Sequence, residues 1–342
     1  MQTSSGMQFV LLGAGSVGLR HMKNLTALGH AVSVVYDPDS GKAEDVLNID
    51  RKTRLTGDEA EALREPCDAV LICSPPVEHL RQLQKVLDCG RDAFVEKPIS
   101  HSLEGTTELV KKAEKDGRVV LVGCNLRFFP SLKRVKQLID SGAVGRPLSA
   151  RVYGGFYLPY WRPHLDYPGN YSAQAKLGGG AILDFIHELD FMRWLFGEPV
   201  EVMCMAGTVS QLTIDTEDLV AAIIRFESGL VAELHLDYLQ PTYRRGVEIL
   251  GEAHALVWDY IDQSIKLYTP DNNTYQVFQE SISTERNTMF IQEMEHFTKC
   301  LRRECVPELD VRGGRSALVL AEALKRASRE RRLTRISEFP FV

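Results

Sequence analysis

The chain has 342 residues, which at about 100–200 residues per domain predicts two domains, each able to bury a core. Hydrophobic residues make up 44% and charged residues 25% of the sequence, values that exclude a largely disordered or fibrous chain. The net charge of −6 offers no general attraction for nucleic acid or an anionic membrane, so neither is expected as a partner. Because there is no apolar window of about 18 residues and no basic leader in residues 1–6, we expect a cytoplasmic protein without a membrane span.

The cysteines give no sign of a disulfide framework or of a metal centre. They are odd in number, contain no C-x-x-C pair and mostly lie in apolar segments. We therefore expect reduced, buried thiols and no metal site or redox chemistry at Cys67, Cys73, Cys89, Cys124, Cys204, Cys300 and Cys305.

Short apolar runs alternate with helix-compatible segments up to residue 124. The runs cover residues 8–12, 31–36, 69–73, 93–95 and 119–122. Strands that alternate with helices predict right-handed βαβ units, and therefore a doubly wound parallel sheet with both faces covered. The sequence thus predicts a dinucleotide-binding α/β domain over residues 1–124.

The pattern changes in residues 125–342. A basic amphipathic helix is expected at 131–141, a glycine-led helix up to 196, and two further helices at 288–303 and 314–331. Between them lie segments that read as strands joined by hairpin turns. These strands are expected at residues 202–209, 219–226, 230–239, 245–250, 255–260 and 264–268. We therefore expect an α+β second domain with an open, mostly antiparallel sheet.

A G-x-G-x-x-G motif follows the first predicted strand and opens the first predicted helix. Gly13 permits the tight turn, Gly15 leaves room for a pyrophosphate, and Gly18 lets the helix approach the strand. The N–H groups at the start of the helix then supply donors to the phosphates. This context favours a dinucleotide site over a merely structural turn.

Asp37 ends the second predicted strand, 19 residues after Gly18. A carboxylate at this position can accept hydrogen bonds from the ribose hydroxyls of the adenosine, whereas a 2′-phosphate would be repelled by it. NAD is therefore expected in preference to NADP. The alternative role of Asp37 is to start an ordinary turn before Pro38.

Two further motifs follow predicted strands of the first domain. Ser74-Pro75-Pro76 precedes His79, and Glu96-Lys97-Pro98 follows the next strand. Open α/β sheets bind ligands at the carboxyl ends of their strands, so both motifs are expected at the cofactor edge. The bond between Lys97 and Pro98 is a candidate for the cis form.

These motifs and the segment Gly178-Gly-Gly-Ala-Ile-Leu-Asp-Phe-Ile-His-Glu-Leu-Asp190, in this order and spacing, resemble the glucose-fructose oxidoreductase, inositol dehydrogenase and rhizopine-catabolism (Gfo/Idh/MocA) family. The resemblance spans essentially the whole chain. It implies an N-terminal Rossmann domain, a C-terminal α/β domain whose open sheet often forms the oligomer interface, and NAD(P)-dependent redox chemistry on sugars or cyclitols.

The resemblance also implies roles for individual residues. The family's catalytic lysine corresponds to Lys97 and its helix-borne histidine to His187, while Asp184 is a third candidate, catalytic or structural. In most members the aspartate stands four residues before the histidine, and here Leu183 occupies that position, so on an ideal helix the carboxylate moves by about 100°. The candidate cofactor-binding residues are Gly13, Gly15, Ser16, Val17, Gly18, Asp37, Ser74, Pro75, His79, Glu96, Lys97, Asn125 and Arg162.

The chemistry of alcohol oxidation suits this set. Neutral His187 can accept the hydroxyl proton, and the Lys97 ammonium can stabilise the negative charge that develops on oxygen. Asp190 is expected to pair with Arg193 or to orient His187.

Aromatic residues are concentrated at positions 153–171, with Arg162 and His164 among them. Their rings suit the CH face of a sugar, and their polar edges suit its hydroxyl groups. The alternatives are a loop packed over the sheet and an oligomer contact.

We therefore expect an NAD(P)-dependent dehydrogenase that interconverts a secondary alcohol and a ketone on a sugar, cyclitol or nucleotide-sugar. The alternatives are a glycosidase or epimerase that recycles NAD through transient oxidation, and a non-catalytic nucleotide-responsive regulator. Because no helix is predicted to cover one face of the C-terminal sheet, we expect a homodimer or homotetramer formed through that face.

Overall fold

The computed structural model describes residues 6–163, 166–270, 273–279 and 287–340. These residues form two compact units. The first unit contains residues 6–125 and 287–315, and the second contains the described residues of 126–279 and 316–340. The expected division after residue 124 had placed 287–315 in the second domain. Instead Phe297 packs against Phe9 and Phe94 of the first unit, with ring centroids 6.2 and 5.8 Å away, because the apolar face of its helix completes that core.

The helices of the described residues begin and end as follows: α1 (Ser16–Ala27), α2 (Ala43–Leu47), α3 (Glu59–Arg64), α4 (Pro76–Asp88), α5 (Thr106–Lys115), α6 (Pro130–Asp140), α7 (Ala181–Asp184), α8 (Ile186–Phe196), α9 (Thr288–Leu301) and α10 (Val311–Glu330). Short 3₁₀ helices cover Ser40–Lys42, Asn125–Phe128, Leu158–Tyr160, Tyr167–Gly169, Tyr171–Ala173, Ala175–Leu177 and Ile336–Glu338. None of the helices in the described part of the chain is long and apolar enough to cross a bilayer.

The first unit contains a parallel sheet whose strands run in the order β3-β2-β1-β4-β5-β6. β4 and β6 are buried along their whole length, because helices cover both faces of the sheet. This architecture confirms the predicted doubly wound α/β domain. Its strands are β1 (Gln8–Leu12), β2 (Ala31–Tyr36), β3 (Arg54–Thr56), β4 (Ala69–Ile72), β5 (Asp92–Glu96) and β6 (Val120–Gly123).

The second unit contains a sheet in the order β14-β13-β12-β11-β7-β10-β9-β8-β15, in which β7 and β10 pair in parallel and the other neighbours pair antiparallel. The predicted α+β domain with a mostly antiparallel sheet is therefore confirmed. Its strands are β7 (Pro147–Gly155), β8 (Pro199–Gly207), β9 (Leu219–Phe226), β10 (Val231–Asp237), β11 (Arg244–Gly251), β12 (Ala255–Asp259), β13 (Ser264–Thr269), β14 (Thr274–Gln279) and β15 (Thr334–Arg335).

β7 is the central strand that the sequence analysis missed. It ends in Gly154 and Gly155, and glycine is depleted in strands. Both glycines are needed for packing: a Cβ at Gly154 would lie 2.4 Å from Oε1 of Glu188, and one at Gly155 would lie 2.6 Å from Oδ2 of Asp237. β7 therefore ends in two residues of low strand propensity, because buried carboxylates approach its backbone there.

The cysteines are all free thiols, but they are not uniformly buried as expected. Cys124 and Cys300 are buried, whereas Cys89 and Cys305 are exposed. Cys305 lies beyond the end of α9, where the chain leaves the apolar helix face.

Candidate functional site

The glycine turn between β1 and α1 contains one glycine with free space around it and two that are tightly packed. A Cβ at Gly13, which has φ 102°, would lie 2.7 Å from the backbone of Cys73 and Ser74, and one at Gly18 would lie 2.1 Å from the carbonyl oxygen of Gly13. At Gly15, by contrast, a Cβ would meet no heavy atom within 4 Å. The turn thus combines close backbone packing with open space at its centre, as a pyrophosphate requires.

The start of α1 is suited to an anion. Gly15 occupies the N-cap position without a side chain that could cap the helix, and the first turn, which begins with Ser16 and Val17, contains no acidic residue. α3, by contrast, begins with the carboxylate of Asp58 accepting a hydrogen bond from the N–H of Ala60. The N-terminal N–H groups of α1 and its positive dipole end are therefore available to phosphate oxygens.

Asp37 connects the end of β2 to the glycine turn. Its Oδ2 accepts a hydrogen bond of 2.7 Å from the N–H of Ala14, and its Oδ1 accepts one of 2.9 Å from the N–H of Asp39. Each carboxylate oxygen can accept more than one hydrogen bond, so this anchoring leaves acceptor capacity for ribose hydroxyls.

His79 connects the ends of two other strands. It is 1% exposed, its Nδ1 lies 2.7 Å from the carbonyl oxygen of Pro98, and its Nε2 lies 2.8 Å from that of Ser74. Burial lowers the pKa of His79, and the hydrogen bonds to the two carbonyl oxygens act in the opposite direction. The Ser74 hydroxyl, next to Pro75 at the start of α4, donates to Oε1 of Gln82. His79 therefore positions the strand ends, and its polar atoms are occupied by protein groups.

Lys97 follows β5 and joins Pro98 through a cis peptide bond, as the sequence analysis anticipated. The Lys97 N–H donates to Oε2 of Glu96 over 3.2 Å, and Oε1 of Glu96 lies 2.7 Å from Nε2 of the fully buried His21 on α1. The Lys97 side chain is half-buried. Glu96 thus holds the lysine's backbone on one side and α1 on the other.

Glu293 on α9 is a buried acid that the sequence analysis missed. It is 0% exposed, and neither carboxylate oxygen has a hydrogen-bond partner among the described residues. Burial, and after it the charge of Glu96, raises the pKa of Glu293 well above its usual value. This shift favours the neutral acid at Glu293. The sequence around Glu293 in α9 does not indicate that this carboxyl group is buried.

We predict opposite effects for alanine at two glycines of the turn. Gly18→Ala forces a Cβ against the Gly13 carbonyl and should cost about 1–3 kcal/mol of stability, measured as a lower melting temperature. Gly15→Ala fits the local φ of −69° and should leave the melting temperature of the free protein unchanged while weakening NAD(H) binding about tenfold or more, equivalent to at least about 1.4 kcal/mol. Unchanged NAD(H) affinity in Gly15→Ala would place the pyrophosphate elsewhere.

We also predict that Glu293 makes stability decrease as pH rises. In the unfolded chain this carboxyl loses its proton near pH 4.3, whereas the folded protein keeps it to a higher pH, so folding becomes less favourable between the two pKa values. Glu293→Gln should therefore stabilise the protein more at pH 8 than at pH 5, as measured by urea unfolding. Glu295→Gln, an exposed change on the same helix, is the control. An equal effect of Glu293→Gln at both pH values would mean that the folded protein carries this carboxyl ionised.

In the second unit, Gly178 to Gly180 lead into α7. A Cβ at Gly179 would lie 2.2 Å from the carbonyl oxygen of Tyr171, and one at Gly180 would lie 2.4 Å from Oε1 of Glu217. Oε1 of Glu217 accepts the N–H of Ile182, so this acid caps α7. The glycines are thus explained by packing against the preceding segment and the cap.

Asp184 ends α7 and is 6% exposed. Its Oδ2 accepts a hydrogen bond of 2.6 Å from the hydroxyl of the fully buried Tyr238. Burial, and after it the Asp184 carboxylate, raises the pKa of both Tyr238 and Tyr171 well above 10. Asp184 is therefore anchored between tyrosine hydroxyls that stay protonated and donate to it.

The predicted shift of Asp184 relative to His187 assumed one continuous helix. The structure instead ends α7 at Asp184, places Phe185 at φ −92° and ψ 27°, and begins α8 at Ile186. The spacing rule of an ideal helix therefore does not apply here. His187, in the first turn of α8, is half-buried.

Two arginines bind the acids that follow His187. Arg245 donates to Glu188 over 2.6 Å in a buried pair, and Arg127 makes two hydrogen bonds of 2.8 Å to Asp190. Of the two roles expected for Asp190, the pairing with Arg193 is wrong, because Arg193 binds Glu198 just beyond the end of α8. Its second expected role, the orientation of His187, stays a prediction. Because Arg127 and Arg245 are distant in sequence, nothing in the local pattern indicated either pair.

Part of the aromatic segment packs inside the second unit. Trp161 donates its ring N–H to the carbonyl oxygen of Phe156, and its ring meets those of Phe185 and Tyr238 edge-on at 5.7 and 5.4 Å. Tyr160 is 55% exposed, so its ring is available for other contacts. His164 lies outside the described residues.

Most of the predicted cofactor residues converge within the first unit. The glycine turn, Asp37, Ser74 and Glu96 follow the carboxyl ends of neighbouring parallel strands. Asn125 follows β6 at the same edge and is 8% exposed. Arg162 belongs to the second unit, where it is exposed.

The parallel sheet order, the glycine turn and the acid after β2 define a dinucleotide-binding Rossmann protein. Comparison with known families agrees: residues 7–124 match the oxidoreductase family GFO/IDH/MocA, described as an NAD-binding Rossmann fold, and residues 132–257 match the GFO/IDH/MocA C-terminal domain. The chain belongs to the GFO/IDH/MocA family of oxidoreductases. The predicted family, enzyme class and NAD cofactor are thereby confirmed.

Named relatives act on cyclitols and sugars. An inositol 2-dehydrogenase/D-chiro-inositol 3-dehydrogenase of Lacticaseibacillus casei is 31% identical over 72% of this chain and 70% of its own length. A myo-inositol 2-dehydrogenase of Thermotoga maritima is 24% identical over 97% of this chain and 99% of its own. A levoglucosan dehydrogenase in complex with NADH has a similar fold, with a TM-score of 0.89 at 19% identity, covering 97% of this chain and 99% of the other.

Proposed function

We propose that this protein oxidises a secondary alcohol on the ring of a cyclitol or sugar, or reduces the corresponding ketone. The observation that carries the proposal is a lysine at the cofactor edge of an NAD-binding unit together with a half-buried histidine at the start of α8. The names of the relatives support a polyol ring as substrate. The free thiols also suit the reducing cytoplasm, where we place the enzyme.

The first unit would hold the cofactor through its backbone and one acid. The open centre of the turn at Gly15 and the uncapped start of α1 accept the pyrophosphate, and Asp37 accepts the ribose hydroxyls. The charge of Asp37 opposes a 2′-phosphate, so NAD is preferred over NADP. When bound, NAD accepts the two electrons and the hydrogen that leave the alcohol carbon.

His187 would act as the base, and Lys97 would stabilise charge. A neutral imidazole can accept the hydroxyl proton. The Lys97 ammonium would donate a hydrogen bond to the alcohol oxygen and lower the energy of the developing alkoxide. In ketone reduction the same two groups return the proton and polarise the carbonyl.

Asp184 would act as a positioning residue. Its oxygen is held by the Tyr238 hydroxyl at the break between α7 and α8, two residues before the helix turn that carries His187. In this position the carboxylate fixes the direction in which α8 begins. We therefore assign proton transfer to His187 rather than to Asp184.

We predict that His187→Ala and Lys97→Ala each lower kcat by about 10² to 10⁴ while NAD affinity stays nearly unchanged, the range typical of positioned acid–base groups. Substrates are found by the absorbance of NADH with a panel of cyclitols and sugars. The double variant should lose much less than the product of the single losses, because either change already disrupts the shared arrangement.

Lys115→Ala, an exposed change on α5, is the control and should keep wild-type kcat. Asp184→Asn should lower the melting temperature with a smaller loss of kcat than His187→Ala. More than about half of wild-type kcat in His187→Ala would remove His187 as the base. Oxidation and re-reduction of bound NAD without net NADH would favour the NAD-recycling alternative.

We further propose that the outer face of the second unit's sheet joins copies of this chain. Met203 and Met205 on β8 are 55% and 80% exposed and pair with Ile223 and Ala221 of β9, which share that face. An open groove of about 1120 Å³ lies along these strands. The same face also carries the Arg151–Glu233 and Arg225–Glu201 ion pairs, so a second copy would cover an apolar strip that is flanked by charged pairs.

We predict that Met205→Glu converts the assembly into monomers at micromolar concentration, because it places a charge in the apolar row. Light scattering is the measurement. Val306→Glu, at an 81% exposed apolar residue of the first unit, is the matched control and should keep the wild-type assembly. A monomeric wild-type protein would refute the proposed interface.

A further inference from the structure

Two thiols and one imidazole converge at the end of α9, among residues that the proposed reaction does not use. The sulfur of Cys300 lies 3.6 Å from that of Cys305 and 3.4 Å from Nε2 of His296, and the sulfur of Cys305 lies 3.7 Å from Nδ1 of the same ring. At these distances the two sulfurs are in contact and form no disulfide bond.

The backbone explains why the three meet. His296 and Cys300 are one turn apart on α9, so they share a face. After the helix ends, Arg303 takes the left-handed φ of 61°, its N–H donates to the carbonyl oxygen of Cys300, and the N–H of Glu304 donates to that of Lys299. This left-handed cap reverses the chain and returns Cys305 to the last helical turn.

The hydrogen bond to His296 assigns its tautomer. The N–H of Glu308 donates to Nε2 over 2.9 Å, which requires a lone pair on that nitrogen. The neutral ring therefore carries its proton on Nδ1, the nitrogen that faces Cys305. The Nδ1 N–H is thus a hydrogen-bond donor that faces the sulfur of Cys305.

The two cysteines differ in environment. Cys300 is fully buried in the core of the first unit, and burial raises its pKa to about 12, so it remains a thiol. Cys305 is exposed and is the sulfur that a reagent in solution reaches first. This is the asymmetry of a reactive thiol and a resolving thiol.

We propose that Cys305 and Cys300 form a redox-active dithiol that is oxidised by a low-molecular-weight disulfide to an intrachain disulfide. The Cys305 thiolate attacks one sulfur of the reagent, forms a mixed disulfide and releases one thiolate. Cys300 gives its proton to the thiolate released in the first step, the Cys300 thiolate attacks the sulfur of Cys305, and the second thiolate of the reagent leaves and takes up a proton from solution. The two cysteines lose two electrons and two protons, and the reagent is reduced to two thiols.

A soft metal ion is the competing occupant of a His-Cys-Cys cluster. Its binding would need an imidazole lone pair directed at an ion held between the two sulfurs. The lone pair on Nε2 instead accepts the Glu308 N–H, and Nδ1 carries the proton. The hydrogen bonding of His296 thus favours thiol chemistry.

The test is to treat the full-length protein with oxidised glutathione and to count free thiols and adducts by intact mass spectrometry. The wild type should fall from seven free thiols to five with no adduct retained. Cys305→Ser should lose no pair of free thiols to a disulfide. Cys300→Ser should retain one glutathione adduct on Cys305. Cys89→Ser, at the other exposed cysteine, should form the disulfide as the wild type does.

A second measurement follows the role of His296. The rate at which iodoacetamide alkylates Cys305 should fall severalfold at pH 7 in His296→Gln, because the donor that faces the Cys305 sulfur is lost. Circular dichroism checks that the helix is retained. Wild-type protein that keeps all seven thiols would overturn the proposal, as would a disulfide formed through other cysteines. One equivalent of zinc that a chelator removes to release these two thiols would show a metal site instead.

Discussion

Contacts that leave no room for a Cβ atom hold the first unit's glycine turn against the end of β4. Gly13 touches the backbone of Cys73 and Ser74, and Gly18 touches Gly13. These contacts fix the carboxyl ends of β1 and β4 side by side and place the start of α1 over them. Between these two packed glycines, a Cβ at Gly15 would meet no heavy atom within 4 Å.

The same edge of the sheet is closed by side chains that connect one strand end to the next. His79 joins Ser74 to Pro98, and Glu96 joins the backbone of Lys97 to His21 on α1. The backbone of Lys97 is therefore fixed by its neighbours, unlike that of an isolated surface lysine. In the second unit, arginines on other elements bind the buried acids beside His187 and fix α8 in a comparable way.

Local sequence patterns predicted the elements that are encoded by consecutive residues. Buried apolar strands, the glycine turn and the strand-end motifs are encoded within a few residues, so the Rossmann unit and its cofactor edge were predictable. β7 was not predictable, because its glycines are required by the close packing of Glu188 and Asp237, which are distant in sequence. The same holds for Arg127 with Asp190 and for Glu293, whose environments depend on tertiary packing.

In the proposed reaction, hydrogen moves from a ring carbon of the substrate to NAD. This transfer is tested most directly by incubating the enzyme and NAD with ring-deuterated cyclitols and sugars and measuring the mass of the isolated NADH. The account predicts one deuterium in NADH for each ketone formed from the true substrate. Product that forms while the NADH carries no deuterium, or no labelled NADH from any ring polyol in the panel, would contradict it.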